Sequence, residues 1–431
     1  MRLFIAVVIL VGPAAVAGAL TFDQAVEKAI ERNERAKISR ENTTGAEARV
    51  FQARSFFFPS LAVGGSYTRR AYETTRELNG QQVTIQSLNA LSAHATARWT
   101  VFDARSIPLY RAAARELDAT RLESADTRRL LAFEAGDAFL QTLSSLSVVE
   151  AARRRVDFAR QSVKDTGARQ SAGLVSVNDV TRAELEAATA DRELTRASST
   201  AEVSRLQLAF LLDAPRAELE ALERPATLLN VAATHTPLVT PDALTSATRL
   251  DVAAADARAA QAEALSAEPL ARLFPTLAVT AQVRLTNEPG LTGRIGDGYV
   301  GVDLAWVLFD GGDRYGERRE RLAQASAAAL QARLRQRKVV SDVQTALKSL
   351  QSAQASLAQA KVASDVAAKN ASETGELYRQ GLASTLQLSD ASLRRFEADV
   401  ELAREQYGLA ISLLDLRAAM GVDPLGREVT P

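Results

Sequence analysis

The stretch Tyr299–Gly312, YVGVDLAWVLFDGG, alternates through most of its length. Val300, Val302, Leu304, Trp306 and Leu308 fall on one face of a strand, and Tyr299, Gly301, Asp303 and Ala305 on the other. Phe309-Asp310-Gly311-Gly312 then turns the chain, and no proline follows until Pro424, so a strand feeds a very long helical region. An earlier copy lies at Leu91–Asp103, LSAHATARWTVFD. There Leu91, Ala93, Ala95, Ala97, Trp99 and Val101 face one way, against Ser92, His94, Thr96, Arg98 and Thr100. The chain has 2 tryptophans, Trp99 and Trp306, and each precedes a Phe-Asp pair by the same spacing. Such a match marks an internal repeat.

The 431 residues suffice for two or three ordinary domains or one repeated architecture. A formal net charge of +0 argues against nucleic acid as a partner. Much of the 47% hydrophobic content is alanine, which favours helices that approach closely rather than a thick core. With Cys 0, neither disulfides nor a thiolate metal site nor an N-terminal lipid is possible. Arg2, the apolar run Leu3–Val11 and the small residues Ala17-Gly18-Ala19 read as a cleavable secretory signal over 1–19. No later stretch is long and apolar enough for a transmembrane helix.

The remaining chain divides into a first repeat over 20–213, a linker over 214–241, a second repeat over 242–420 and a tail over 421–431. In the first, Thr21–Phe56 is helical in pattern, Phe58-Pro59-Ser60 stops it, and strands are expected at 61–68 and 91–102. The polar segment Arg69–Ala90, with Asn79-Gly80, reads as a long hairpin loop. A long helix over about 105–170, ~93 Å if unbroken, ends at Ala172-Gly173-Leu174, and a second helix follows over Ser176–Leu212. The linker holds Pro215, Pro225, Pro237 and Pro241. The second repeat runs a helix over Asp242–Leu273, then Phe274-Pro275, strands at 277–286 and 299–309, a long helix over 313–378, the turn Gln380-Gly381-Leu382 and a last helix. Within 313–378, Val340, Val343, Leu347, Leu350, Gln354 and Leu357 form a heptad seam.

Strands of about ten residues with one apolar and one polar face have the length and period of membrane-spanning β-strands. Alternation also marks a half-buried soluble sheet, so a small hairpin pair packed on helices stays open at this stage. Four strands cannot close a barrel, and open edges are excluded in lipid, so a membrane barrel needs several chains. Two chains supply eight strands, whose interior fills with side chains, and three supply enough for a duct.

The order helix, FPSL, strand, loop, strand, W..FD, long helix, GL turn, helix, given twice, resembles the TolC-like outer-membrane efflux factor family over nearly the whole mature chain. LAWVLFDGG resembles its strand-to-helix junction and YRQGLASTLQLSDA its second helical turn. The resemblance implies a mostly α fold with a small β part. It implies a homotrimer forming a 12-stranded transmembrane β-barrel on a long periplasmic α-helical barrel. It also implies an outer-membrane exit duct for drugs, metals or secreted proteins, docked on a periplasmic adaptor that joins an inner-membrane pump, with no cofactor.

The resemblance assigns Asp179 and Asp390 to a narrow periplasmic entrance and Tyr378 to its closure. Ala383 stands where a linking arginine is expected and Gln387 where another entrance carboxylate is expected, which leaves the closure incomplete. The turns at Gly173-Leu174 and Gly381-Leu382 are the expected adaptor contacts, and Tyr67, Trp99, Tyr299 and Trp306 suit the membrane-interface belts. Read without the family, each of these is a solvated or packed side chain. His94 and His235 are too isolated for a metal site, Asp310-Gly311-Gly312 lacks the lysine of a phosphate loop, and no catalytic constellation is visible. The competing reading is a periplasmic coiled-coil scaffold or adaptor without a pore.

Overall fold

The computed structural model describes residues 19–78, 80–234, 249–288 and 294–429. The signal (apart from Ala19), His235 and the linker's last residues lie outside them. The first half runs α1 (Phe22–Arg32), α2 (Glu34–Ser55), β1 (Ser60–Arg69), β2 (Thr74–Leu78), β3 (Gln81–Gln86), β4 (Asn89–Phe102), α3 (Ser106–Ser171) and α4 (Val177–Leu212). A 3₁₀ turn (Arg216–Leu219) and α5 (Ala226–Thr234) follow. The second half runs α6 (Leu250–Ser266), α7 (Glu268–Ala271), β5 (Thr276–Thr286), β6 (Gly296–Ala305), α8 (Asp313–Arg379) and α9 (Thr385–Met420). The chain forms two compact units. One holds residues up to Ile38, Ala125–Arg249 and those from Lys338 onward; the other holds Ser39–Ser124 and Leu250–Arg337.

The second of these units carries a 4-stranded antiparallel sheet in the order β1-β4-β5-β6. Its register aligns the alternation of all strands. Leu61 faces Ala97, Ala97 faces Ala281, and Ala281 faces Val300, so one face is apolar throughout. Thr96 faces Gln282 and Gln282 faces Tyr299 on the polar side. A slip of one residue in any pair would reverse this sorting. The apolar face is left bare at the edge strands: Val63 is 79% exposed, Val300 76% and Val302 67%. Tyr67 and Trp99 share that face. Tyr299 lies on the opposite face, across from Gln282, because Val300, Val302 and Leu304 occupy the apolar side of β6.

The repeat extends to single hydrogen bonds. The Trp99 indole donates to the Phe57 carbonyl at 3.1 Å, and the Trp306 indole to the Leu273 carbonyl at 3.0 Å, each acceptor standing just ahead of Phe58-Pro59 or Phe274-Pro275. At the strand-to-helix corner Asp310 accepts from the Gly312 amide and from Arg314, whose guanidinium also reaches the Val307 carbonyl at 3.0 Å. Asp103 and Arg105 form the corresponding pair in the first copy.

The strand expected over 299–309 ends at Ala305, because Pro275 has no N–H and its partner strand starts at Thr276, opposite Ala305. The helix expected over Thr21–Phe56 breaks at Asn33, which turns extended (ψ 137) and donates its side-chain amide to the Leu211 carbonyl at 3.0 Å. The helix expected over Asp242–Leu273 is resolved from Leu250 as α6 and α7, with Pro269 in the first turn of α7. The loop expected over Arg69–Ala90 contains the β2–β3 hairpin, turning through Gly80 at φ 77. Its base is tied to the second repeat. Glu288 accepts from Arg70 and from the Ser87 amide, and Asn287 bonds Leu91 at 2.7 Å and the Asn89 carbonyl at 2.8 Å.

In the first unit Phe22 meets Phe139 edge to face at 5.9 Å, and Leu131, Leu140, Leu208 and Leu414 of the same unit are fully buried. A Cβ on Gly136 would lie 3.1 Å from Phe22 and 3.2 Å from Leu414, so a larger residue here would make these side chains give by a few tenths of an ångström. In the heptad seam of α8, Val343, Leu350 and Leu357 are buried. Gln354 donates to the Ala232 carbonyl at 3.0 Å. No helix among the described residues is long and apolar enough to cross a membrane, which says nothing of a β-barrel.

Candidate functional site

The helical turns at Gly173 and Gly381 are built alike. Gly173 has φ 75 and Gly381 φ 80, a conformation that L side chains rarely adopt. The Leu174 amide bonds the Arg169 carbonyl and the Gly173 amide the Gln170 carbonyl, both at 2.9 Å. The Leu382 amide likewise bonds Leu377 at 2.8 Å and the Gly381 amide Tyr378 at 3.1 Å. These are Schellman closures, and they satisfy carbonyls that a helix end leaves open. The residue after each glycine projects outward: Leu174 is 73% exposed and Leu382 72%.

Each turn leads into a capping box. Ser176 and Asp179 form it on α4, and Ser384 and Gln387 on α9. Asp179 accepts from the Ser176 hydroxyl at 2.7 Å and its amide at 3.1 Å. These bonds, with a smaller contribution from the Thr385 hydroxyl, hold its carboxyl below the usual carboxylate range. Asp179 and Gln387 thus serve their own helices first, and Asp390 pairs loosely with Arg394 at 3.7 Å. The Ser-x-x-Asp and Ser-x-x-Gln spacing was the available sequence signal for these caps.

The structure brings the two turns together through α3. The Tyr378 hydroxyl meets the Thr166 hydroxyl at 2.9 Å, and both side chains are buried. Arg169 lies 4.5 Å from the Tyr378 ring centroid, a cation–π contact, and donates to the Arg379 carbonyl at 2.6 Å. Ala383 supplies no charge here; the arginine that engages Tyr378 comes from α3. Sequence reasoning missed Thr166 and Arg169, because nothing local joins positions separated by 212 and 210 residues. Among the described residues no group of His, Cys, Asp or Glu could hold a metal.

The chain belongs to the outer membrane efflux protein family, whose model matches residues 25–214 and 240–422. It is similar to the outer membrane protein TolC of Escherichia coli (strain K12), 23% identical over 420 residues, covering 92% of this chain and 81% of that protein. Its fold is similar to the outer membrane protein VceC of Vibrio cholerae, with TM-score 0.77 and 19% identity over 93% of this chain and 96% of the other. It is also similar to the CmeC outer membrane channel of Campylobacter jejuni, with TM-score 0.79 and 14% identity over 95% and 87%. These relatives are named as outer-membrane proteins and an outer-membrane channel.

Proposed function

We propose that three copies of this chain close a 12-stranded barrel through the outer membrane of a Gram-negative bacterium and continue as a periplasmic helical tunnel. The assembly is a passive exit duct. It carries small toxic compounds or secreted substrates from a periplasmic adaptor and an inner-membrane pump to the outside. The proposed division follows the sequence: a cleaved signal over 1–19, repeats over 20–213 and 242–420, and a linker over 214–241.

The sheet carries this reading. It sorts apolar from polar side chains by face, and among the described residues β1 pairs only with β4 and β6 only with β5. Such edges are not tolerated in lipid, and neighbouring copies satisfy them. Tyr67 and Trp99 then stand toward lipid, Trp306 at the corner where the chain leaves β6, and Tyr299 toward the lumen. A scaffold without a pore has no use for a bare apolar sheet face. The expected result is a trimer in detergent by light scattering. A folded, monodisperse monomer would contradict the proposal.

The turns at Gly173 and Gly381 are the proposed adaptor contact, with Leu174 and Leu382 as its apolar points. Asp179, Asp390, Gln387 and Tyr378 are proposed to line the entrance. Gly173→Val with Gly381→Val forces β-branched residues to positive φ, a strain of about 1–3 kcal/mol per turn. Export should fall sharply in this variant while the trimer persists. Unchanged export at normal protein levels would exclude the turns as the docking point.

A further inference from the structure

A groove of about 470 Å³ lies between α3, α8 and α9, beside the Thr166–Tyr378 contact. Its aromatic walls are Phe158 from α3 and Phe396 from α9. The Arg155 guanidinium sits 5.0 Å from the Phe396 ring centroid and is held there by Glu186 and Glu193. Small residues also line it, among them Ala371, Gly375 and Ser392. Its charged lining is Arg154, Arg155, Arg379 and Arg395 against Asp165 and Asp399. Arg154 is matched by Asp399 at 3.2 Å and Arg379 by Glu376 at 2.6 Å. Among the described residues Arg395 has no ion pair.

We propose that this groove binds a small aromatic anion, with its ring between Phe158 and Phe396 and its carboxylate or sulfonate on Arg395. The volume is in the range of small-molecule pockets. Flat rings gain from aromatic walls, and a planar guanidinium matches a carboxylate in two-point geometry. A cationic ligand would meet Arg395, whereas Arg154 and Arg155 carry their own carboxylate partners. A saturated acid would forgo the ring contacts. The bound anion ties the first repeat's long helix to the last helix of the chain. Binding therefore stabilises that arrangement in proportion to ligand concentration.

The test uses 2-naphthoate and calorimetry on the full chain in detergent at roughly physiological salt. Saturable binding of about one ligand per chain is expected, weakened at least about tenfold by Arg395→Glu. Gly375→Leu should abolish it. A Cβ at Gly375 meets nothing within 4 Å, so leucine enters open space and leaves the helix intact. Three results would overturn the proposal: no saturable heat from the wild type, the same titration with Gly375→Leu, or equal binding of 2-naphthylmethylammonium. Light scattering on the same samples keeps the outcome separate from the channel reading, since a trimer that fails to bind refutes only the groove.

Discussion

Arg169→Ala trimers in a planar bilayer will conduct at rest at least about tenfold more than wild type, since each ~1.4 kcal/mol lost from the closed state shifts the population tenfold. Arg169 contributes a cation–π contact with Tyr378 and a charged hydrogen bond to the Arg379 carbonyl. At this partly exposed site they are together worth about 1–2 kcal/mol per chain, and in the proposed trimer three copies act on one entrance. Tyr378→Phe, which keeps the ring and loses only the Thr166 hydroxyl bond, should give a smaller rise. Neither contact is a pair of opposite charges, so the closed state should depend weakly on salt. An unchanged resting current in intact Arg169→Ala trimers would show that this contact does not hold the entrance. The same membranes test the proposed acidic ring. Asp179→Asn with Asp390→Asn should move the reversal potential toward that of an unselective pore. Equal reversal potentials would return both carboxylates to their local roles at the starts of α4 and α9.

The second large effect is on stability. Asp137 on α3 has its carboxyl raised to about 7, first by burial and then by Asp415 on α9 and Glu134 one turn away. Its Oδ1 is buried without a hydrogen-bond partner. Asp415 is itself raised by burial, and Glu134 is engaged by Arg35. Because the folded state favours the protonated acid, stability falls as pH rises from the ordinary value of 3.8 through about 7. The full shift corresponds to ~4 kcal/mol, and partial solvent screening reduces this to about 2 kcal/mol per chain. Asp137→Asn should therefore raise the melting temperature at pH 8 by several degrees and leave it nearly unchanged at pH 4. An equal effect at both pH values would point to a packing change instead of a charge.

Period and punctuation carried the fold. Alternation in Leu277–Thr286 set both the strand and its face, and Gly173 and Gly381 marked the turns because only glycine accepts their φ without strain. The family resemblance rested on the ordered pair of repeats, the Trp-x-x-Phe-Asp corners among them, and the indole bonds to Phe57 and Leu273 are the same in both copies. Other features were hidden for specific reasons. The Asn33 break depends on a carbonyl 178 residues away. The β2–β3 hairpin is mostly polar, with Val83 and Ile85 as the apolar residues of β3, so Asn79-Gly80 marked a turn while the short strands beside it read as loop. In the site, the capping boxes at Ser176 and Ser384 were readable and went unread. The Arg169–Tyr378 contact is tertiary, and no spacing rule reaches it.

The join between β4 and β5 has a kinetic consequence. Within the first hairpin, Tyr67 bonds Asn89 across 22 residues, whereas Leu91 bonds Asn287 across 196. For a flexible chain, closing the longer loop costs about 2 kcal/mol more. Rigid helical pairing in the intervening α3 and α4 shortens the segment that must be searched. Contact order thus makes each two-stranded ribbon quick to form and their union the slow event. Until that union, both inner strands present unsatisfied edges, and whatever compartment folds the chain must hold such a ribbon soluble.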